Sequence, residues 1–175
     1  MNLIKELSEN LSVSLIKKIK KYIGDDQKKF DQLMKLSFAG DKLLSPHASW
    51  AAIHTAENNQ KLLKKWIPVI VDTLIHANHP SVKRNLLRLL QDVSIPEKKQ
   101  SMMFDNGLKL MLSDKEPIAV RVFAMTVLVN ITEEHPDLTQ ELETCIYSVM
   151  EEGASPAIRS RGKKSLKRLA KLKGR

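Results

Sequence analysis

The stretch Pro117-Ile118-Ala119-Val120-Arg121-Val122-Phe123-Ala124-Met125-Thr126-Val127-Leu128-Val129-Asn130-Ile131 decides the fold. Proline opens it, where the missing N–H costs nothing and the fixed φ suits a first helical turn. Behind it Val120, Ala124 and Leu128 stand four apart, which sets them on one stripe of a helix. The same construction recurs on both sides. Val82-Lys83, Val120-Arg121 and Ile158-Arg159 each follow a proline, lie 38 residues apart, and are followed eight residues on by Leu90, Leu128 and Leu166. A weaker copy runs through Ala48, Ala52 and Ala56, 34 residues before Val82. Small residues stand four after the anchor at Ala52, Ala124 and Gly162, where the copy at Val82 has Leu86.

Outside this stripe the chain is punctuated as a series of helices. Ser45-Pro46, His79-Pro80, Glu116-Pro117 and Ser155-Pro156 mark helix starts, and Ser94-Ile95-Pro96-Glu97 has the form of a capping box. Gly24, Gly40 and Gly153 follow helical patterns, as a C′ position requires. The reading gives helices over residues 2–10, 13–23, 27–38, 46–58, 60–76, 80–92, 96–112, 117–133, 137–152 and 156–172. Connections are short, so consecutive helices are expected to be antiparallel neighbours. One helix pair cannot bury both faces, so pairs stack. Val82, Leu86, Leu90, Val120, Ala124 and Leu128 are the residues expected between layers, with Ala52, Ala124 and Gly162 allowing close approach.

These segments resemble the second helix of HEAT repeats, which often run proline, then Val-Arg, then small and aliphatic residues at helical spacing. The resemblance covers about residues 27–172, roughly four repeats. It implies an all-α, right-handed α-α superhelix of the HEAT or armadillo type, with N-terminal capping helices at 1–26 and one solenoid domain over 1–175. The family often pairs an Asp with the Arg of the neighbouring repeat. Here Lys115 stands six before Arg121, Gly153 six before Arg159, and Lys83 replaces the arginine, so no such ladder is expected.

Composition narrows the function. One cysteine, Cys145, excludes an internal disulfide and a cysteine-based zinc site and fits a reducing compartment. No apolar run reaches the ~18 residues of a membrane span, and the first residues lack a signal-peptide pattern, so a cytoplasmic location is expected. The net charge of +9 is local: residues 1–154 hold 20 basic and 20 acidic residues, while residues 155–175 hold nine basic and none acidic. His76 and His79 have ligand-like spacing but span a helix end without a third ligand, so no metal or other cofactor is expected. Nothing matches a phosphate-cradling glycine loop, a nucleophile elbow or a His-Glu-x-x-His helix, so no catalytic residue is assigned.

The resemblance implies a non-enzymatic scaffold that binds a protein partner on a concave surface lined by the second helices. His47, His54, Lys83, Arg84 and Arg88 are the candidate contacts. Nucleic acid is the competing partner, through the helix at 156–172 and its patch of Arg159, Lys163, Lys164, Lys167, Arg168 and Lys171. The acidic helix before it, with Glu133, Glu134, Asp137, Glu141, Glu143, Glu151 and Glu152, is expected to answer some of that charge. A third reading is a repair enzyme like the bacterial DNA glycosylases that remove alkylated bases and share HEAT-like architecture. That likeness stops at architecture, because no Asp aligns with their catalytic one. Oligomeric state is not legible.

Overall fold

The computed structural model describes residues 1–9, 11–57, 59–151 and 153–172. Asn10, Asn58, Glu152 and residues 173–175 lie outside the described residues, and with them the ends of the helices expected over 2–10, 46–58 and 137–152. The elements are α1 Leu3–Leu7, α2 Val13–Ile23, α3 Gln27–Ser37, α4 Leu44–Ala56, α5 Ile67–Leu74, α6 Pro80–Leu90, α7 Glu97–Leu112, α8 Ile118–Glu134, α9 Thr139–Val149 and α10 Pro156–Ala170. Two short 3-10 turns, Gln60–Leu63 and Pro136–Leu138, complete the list, and no strand occurs among the described residues. No described helix is long and apolar enough to cross a membrane.

The chain divides into two compact units, Met1–Leu89 and Leu90–Arg175. In the first, α3 packs on α4, and α1 and α2 also lean on α4. In the second, α7 packs on α8, and α10 packs on both α8 and α9. The expected interlayer residues are all buried: Val82, Leu86 and Leu90 in α6, and Val120, Ala124 and Leu128 in α8. Each valine or leucine side chain so buried contributes about 1.5–3 kcal/mol, and the Ala124 methyl about 0.8 kcal/mol. Gly162 marks a close approach of α10 to α9. A Cβ there would lie 2.1 Å from Met150 Sδ and 2.7 Å from its Cγ, so the helices meet at a position where a side chain has no room.

Helix ends follow local chemistry. Pro156 is the first residue of α10 and Ser155 Oγ accepts from the Ile158 amide; Pro80 likewise opens α6, where His79 Nδ1 accepts from the Ser81 amide. Gly24, Gly40 and Gly153 all have positive φ, though Gly24 is the cap of α2 itself and Gly40 and Gly153 lie beyond the caps Phe38 and Met150 rather than at C′.

Several boundaries differ from the expectation, each for a physical reason. The span 60–76 is not one helix: a 3-10 turn at Gln60–Leu63 gives way to α5 at Ile67. Pro68 is the cause, since it has no N–H for a bond back to the preceding turn and is tolerated only in the first turn of a new helix. The capping box at 94–97 does not form. The cap position of α7 is Pro96, two residues past Ser94, and no side chain caps that end. Helix α4 starts at Leu44 rather than Pro46, because Asp41 Oδ1 accepts from the amides of Leu43 and Leu44. Pro46 still falls in the first turn, where amides have no intrahelical acceptor. Pro136 similarly opens a 3-10 turn ahead of α9.

Candidate functional site

The five candidate contacts lie on α4 and α6 of the first unit. His54 is half-buried and meets Trp50 edge to face, ring centroids 5.0 Å apart. Its Nδ1 lies 3.2 Å from Glu57 Oε2, and the other oxygen of that carboxylate is 3.5 Å from the Arg88 guanidinium of α6. Arg88 is 45% exposed and Glu57 42%, so this is a surface network in which each pair stabilises little, about 0–1 kcal/mol. Arg84 is held from below. Its Nε donates to Asn85 Oδ1 (3.2 Å), while the buried Asn85 donates to Ser49 Oγ (3.0 Å), tying α6 to α4. Lys83 is half-buried beside it. His47 turns away from the group, its Nδ1 at 2.8 Å from the Leu7 carbonyl at the end of α1.

Residues Trp50 and Glu57 therefore belong to the surface although neither was among the candidates. Glu57 was hidden because its partner lies 31 residues away. Its i,i+3 relation to His54 was the available signal.

The six cations assigned to the terminal helix divide. Arg168 forms a bidentate pair with Glu133 of α8 (2.8 and 2.6 Å) and donates to Asn130 Oδ1 (2.8 Å). Arg159, Lys163, Lys164, Lys167 and Lys171 are exposed. Arg161, outside the assigned set, donates to Thr126 Oγ1 at 2.8 Å. Of the acidic residues expected to answer this charge, Glu133 does so through Arg168. Asp137 and Glu141 line a cavity of about 260 Å³ with Glu97 and Asp105 of α7, because α9 meets α10 through Ile146 and Met150. Glu133 belongs to α8 rather than to α9.

A HEAT repeat domain model matches residues 3–169. The chain belongs to the HEAT repeat family. No curated protein and no solved structure matches it. HEAT repeats commonly serve as protein-interaction scaffolds, and the family is generally non-enzymatic.

The anchor arginine of the second unit serves a helix end. Arg121 Nε donates 2.9 Å to the Met111 carbonyl, one of the last-turn acceptors that α7 cannot satisfy itself. It closes a helix end within its own pair instead of reaching an Asp of a neighbouring repeat.

Other groups have structural explanations. His76 and His79 line a cavity of about 570 Å³ in the first unit with Phe38, Asp41, Lys42 and Val82, yet His79 is spent on capping α6. No metal-holding group of three His, Cys, Asp or Glu occurs among the described residues. Burial, then the charge of Glu141, pushes the Cys145 thiol up, so it is protonated near neutrality. Trp66 stands over a carboxylate, Asp31. Burial pushes that carboxyl upward, but Lys65, the Gln27 amide and the Trp66 indole all donate to it and hold it below its ordinary range.

Proposed function

We propose that this HEAT repeat chain is a non-enzymatic scaffold that binds a protein partner on the α4/α6 surface of its first unit. The observation that carries this reading is the clustering of Trp50, His54, Arg84 and Arg88, with aromatic and guanidinium groups partly exposed beside one another. Trp and Arg dominate binding hot spots, because each combines a large flat contact area with directed polar groups. Second-helix residues on a rigid stack hold such groups in place at little entropic cost on binding. Arg84 and Arg88 ask for a carboxylate on the partner, and Trp50 for an apolar side chain next to it.

A photo-crosslinking amino acid at His54 tests this, with the same probe at the exposed Gln32 of α3 as control. One protein is expected to form an adduct from position 54 and not from 32. Arg88→Glu should lower that adduct at least tenfold, a loss typical of a hot spot, with an unchanged melting curve. Equal adducts from both positions, or an adduct indifferent to Arg88→Glu, would sink the assignment.

A further inference from the structure

Among the described residues, helix α10 carries charge that its folding does not use. Its inward stripe, Ile158, Gly162, Ser165 and Leu169, is buried within the second unit. On the flank toward α8, Arg161 and Arg168 are engaged, and the bidentate pair to Glu133 takes up the carboxylate that faces α10 there. Arg159, Lys163, Lys167 and Lys171 remain, spaced by four residues, with Lys164 alongside. Four residues of helix advance about 6 Å, so these ammonium and guanidinium groups form an evenly spaced row that winds slowly over the exposed face.

Helix stability does not account for that row. Cations favour the last turn, where the dipole is negative, which covers Lys167 and Lys171. Arg159 lies in the positive N-terminal half with Lys163 and Lys164 near the middle, where the dipole gives them nothing. Nor does the row resemble the surface on α4 and α6. Four of its five members are lysines, the exposed residues among and beside them are Pro156, Ala157, Ser160 and Ala170, and the neighbouring Leu166 and Leu172 are half-buried, so no aromatic or fully exposed aliphatic anchor accompanies the row. Lysine is depleted from protein interfaces, whereas nucleic-acid interfaces are strongly cationic. A helix lying in a lipid interface must present an apolar face to the acyl chains, and that face of α10 is already buried. A flexible point charge without an anchor suits a partner whose negative charges repeat at regular intervals, and that partner is a phosphodiester backbone.

We infer that the exposed face of α10 binds the phosphate backbone of nucleic acid without reading its sequence. The contact is independent of the protein surface on the first unit, so either assignment can fail alone.

Fluorescence anisotropy with a short mixed-sequence DNA duplex, titrated at salt concentrations between about 50 and 200 mM, reads the contact directly. Five phosphate contacts predict a slope of log K against log salt on the order of −4. Changing Arg159, Lys163, Lys164, Lys167 and Lys171 together to Gln should flatten that slope and weaken binding more than tenfold at the lowest salt. Arg168 stays, because it holds Glu133 and Asn130 and its loss would disturb the fold. A milder variant, Lys163→Gln with Lys167→Gln, guards against misfolding of the fivefold one and should reduce the slope by about two. A second duplex of different sequence should bind within a few-fold of the first. The inference is overturned if the wild type binds no duplex at the lowest salt, or if the Lys163→Gln/Lys167→Gln variant binds with an unchanged slope. Displacement of the duplex by polyglutamate or by phosphatidylserine vesicles at equal charge would also overturn it, in favour of an acidic protein or a membrane surface.

Discussion

Trp66→Ala is expected to lower stability by about 4 kcal/mol, within the range for truncating a buried aromatic residue. Trp66 is 9% exposed and stacks on Phe38, ring centroids 5.9 Å apart and planes 18° from parallel. Its indole Nε1 donates 2.8 Å to Asp31 Oδ1, so α3 and the start of α5 are joined by ring contact and hydrogen bond at one place. Alanine removes both. Phenylalanine retains most of the ring and loses the N–H, so Trp66→Phe should cost less, about 1–3 kcal/mol for a hydrogen bond to a charged group. Urea melts followed by far-UV circular dichroism check the order, and Trp50, the other of two tryptophans, remains as a fluorescent reporter in the same unit.

The same contact predicts a pH dependence. Burial raises the Asp31 carboxyl, yet the donors Lys65, Gln27 and Trp66 outweigh it and leave the folded-state value below the ordinary 3.8. A carboxylate with a depressed pKa stabilises the fold fully above its unfolded value and loses that contribution as pH falls through the folded one. The difference between wild type and Trp66→Phe should therefore be largest near neutral pH and shrink below about pH 4, where the unfolded carboxyl begins to protonate first. A difference that stays constant from pH 7 to pH 3 would mean that the indole N–H contributes nothing through Asp31.

The repeat was legible because its signal is one-dimensional. Val82, Val120 and Ile158 recur at a fixed interval, and each is buried where the interval says it should be. Gly162 could be recognised as a small residue, but its neighbour Met150 could not, since the contact depends on how α9 ends. The cross-links that hold one helix to the next were not legible for a related reason. Arg168 to Glu133 and Asn85 to Ser49 span 35 and 36 residues, and nothing in the local sequence tells a side chain aimed at a neighbouring helix from one aimed at solvent. The acidic helix does pack beside α10 as expected, but the same gap hid that its Asp137 and Glu141 line a cavity with α7 residues. Of the candidate contacts, His54 and Arg88 converge on Glu57 and Arg84 is braced through Asn85, whereas His47 spends its ring nitrogen on the Leu7 carbonyl. Polar residues on a second helix can be placed by periodicity; what each one bonds to cannot.

The second unit offers a test in which one substitution should change sign with its background. Leu128 in α8 is fully buried, and Gly107 in α7 lies opposite it. A Cβ at position 107 would sit 2.9 Å from Leu128 Cδ2 and 3.1 Å from Cγ, closer than packed carbon atoms tolerate. Leu128→Ala should cost about 3 kcal/mol, from lost burial and the cavity left behind. Gly107→Ala has two opposed effects. Overpacking against Leu128 costs about 1–3 kcal/mol, and replacing glycine in a helix interior recovers about 1 kcal/mol, so the single change should be neutral to destabilising. Once Leu128 is gone the clash disappears, the propensity gain remains, and the new methyl fills part of the cavity. Gly107→Ala should then stabilise the Leu128→Ala protein by about 1–2 kcal/mol, a coupling of the size seen between residues in direct contact. Urea denaturation of the four proteins gives the cycle, and strictly additive values would mean that α7 and α8 do not meet through this pair. Glycine persists within α7, against its own helix propensity, because Leu128 needs the room, and α8 is also the helix whose Thr126, Asn130 and Glu133 hold α10 in place.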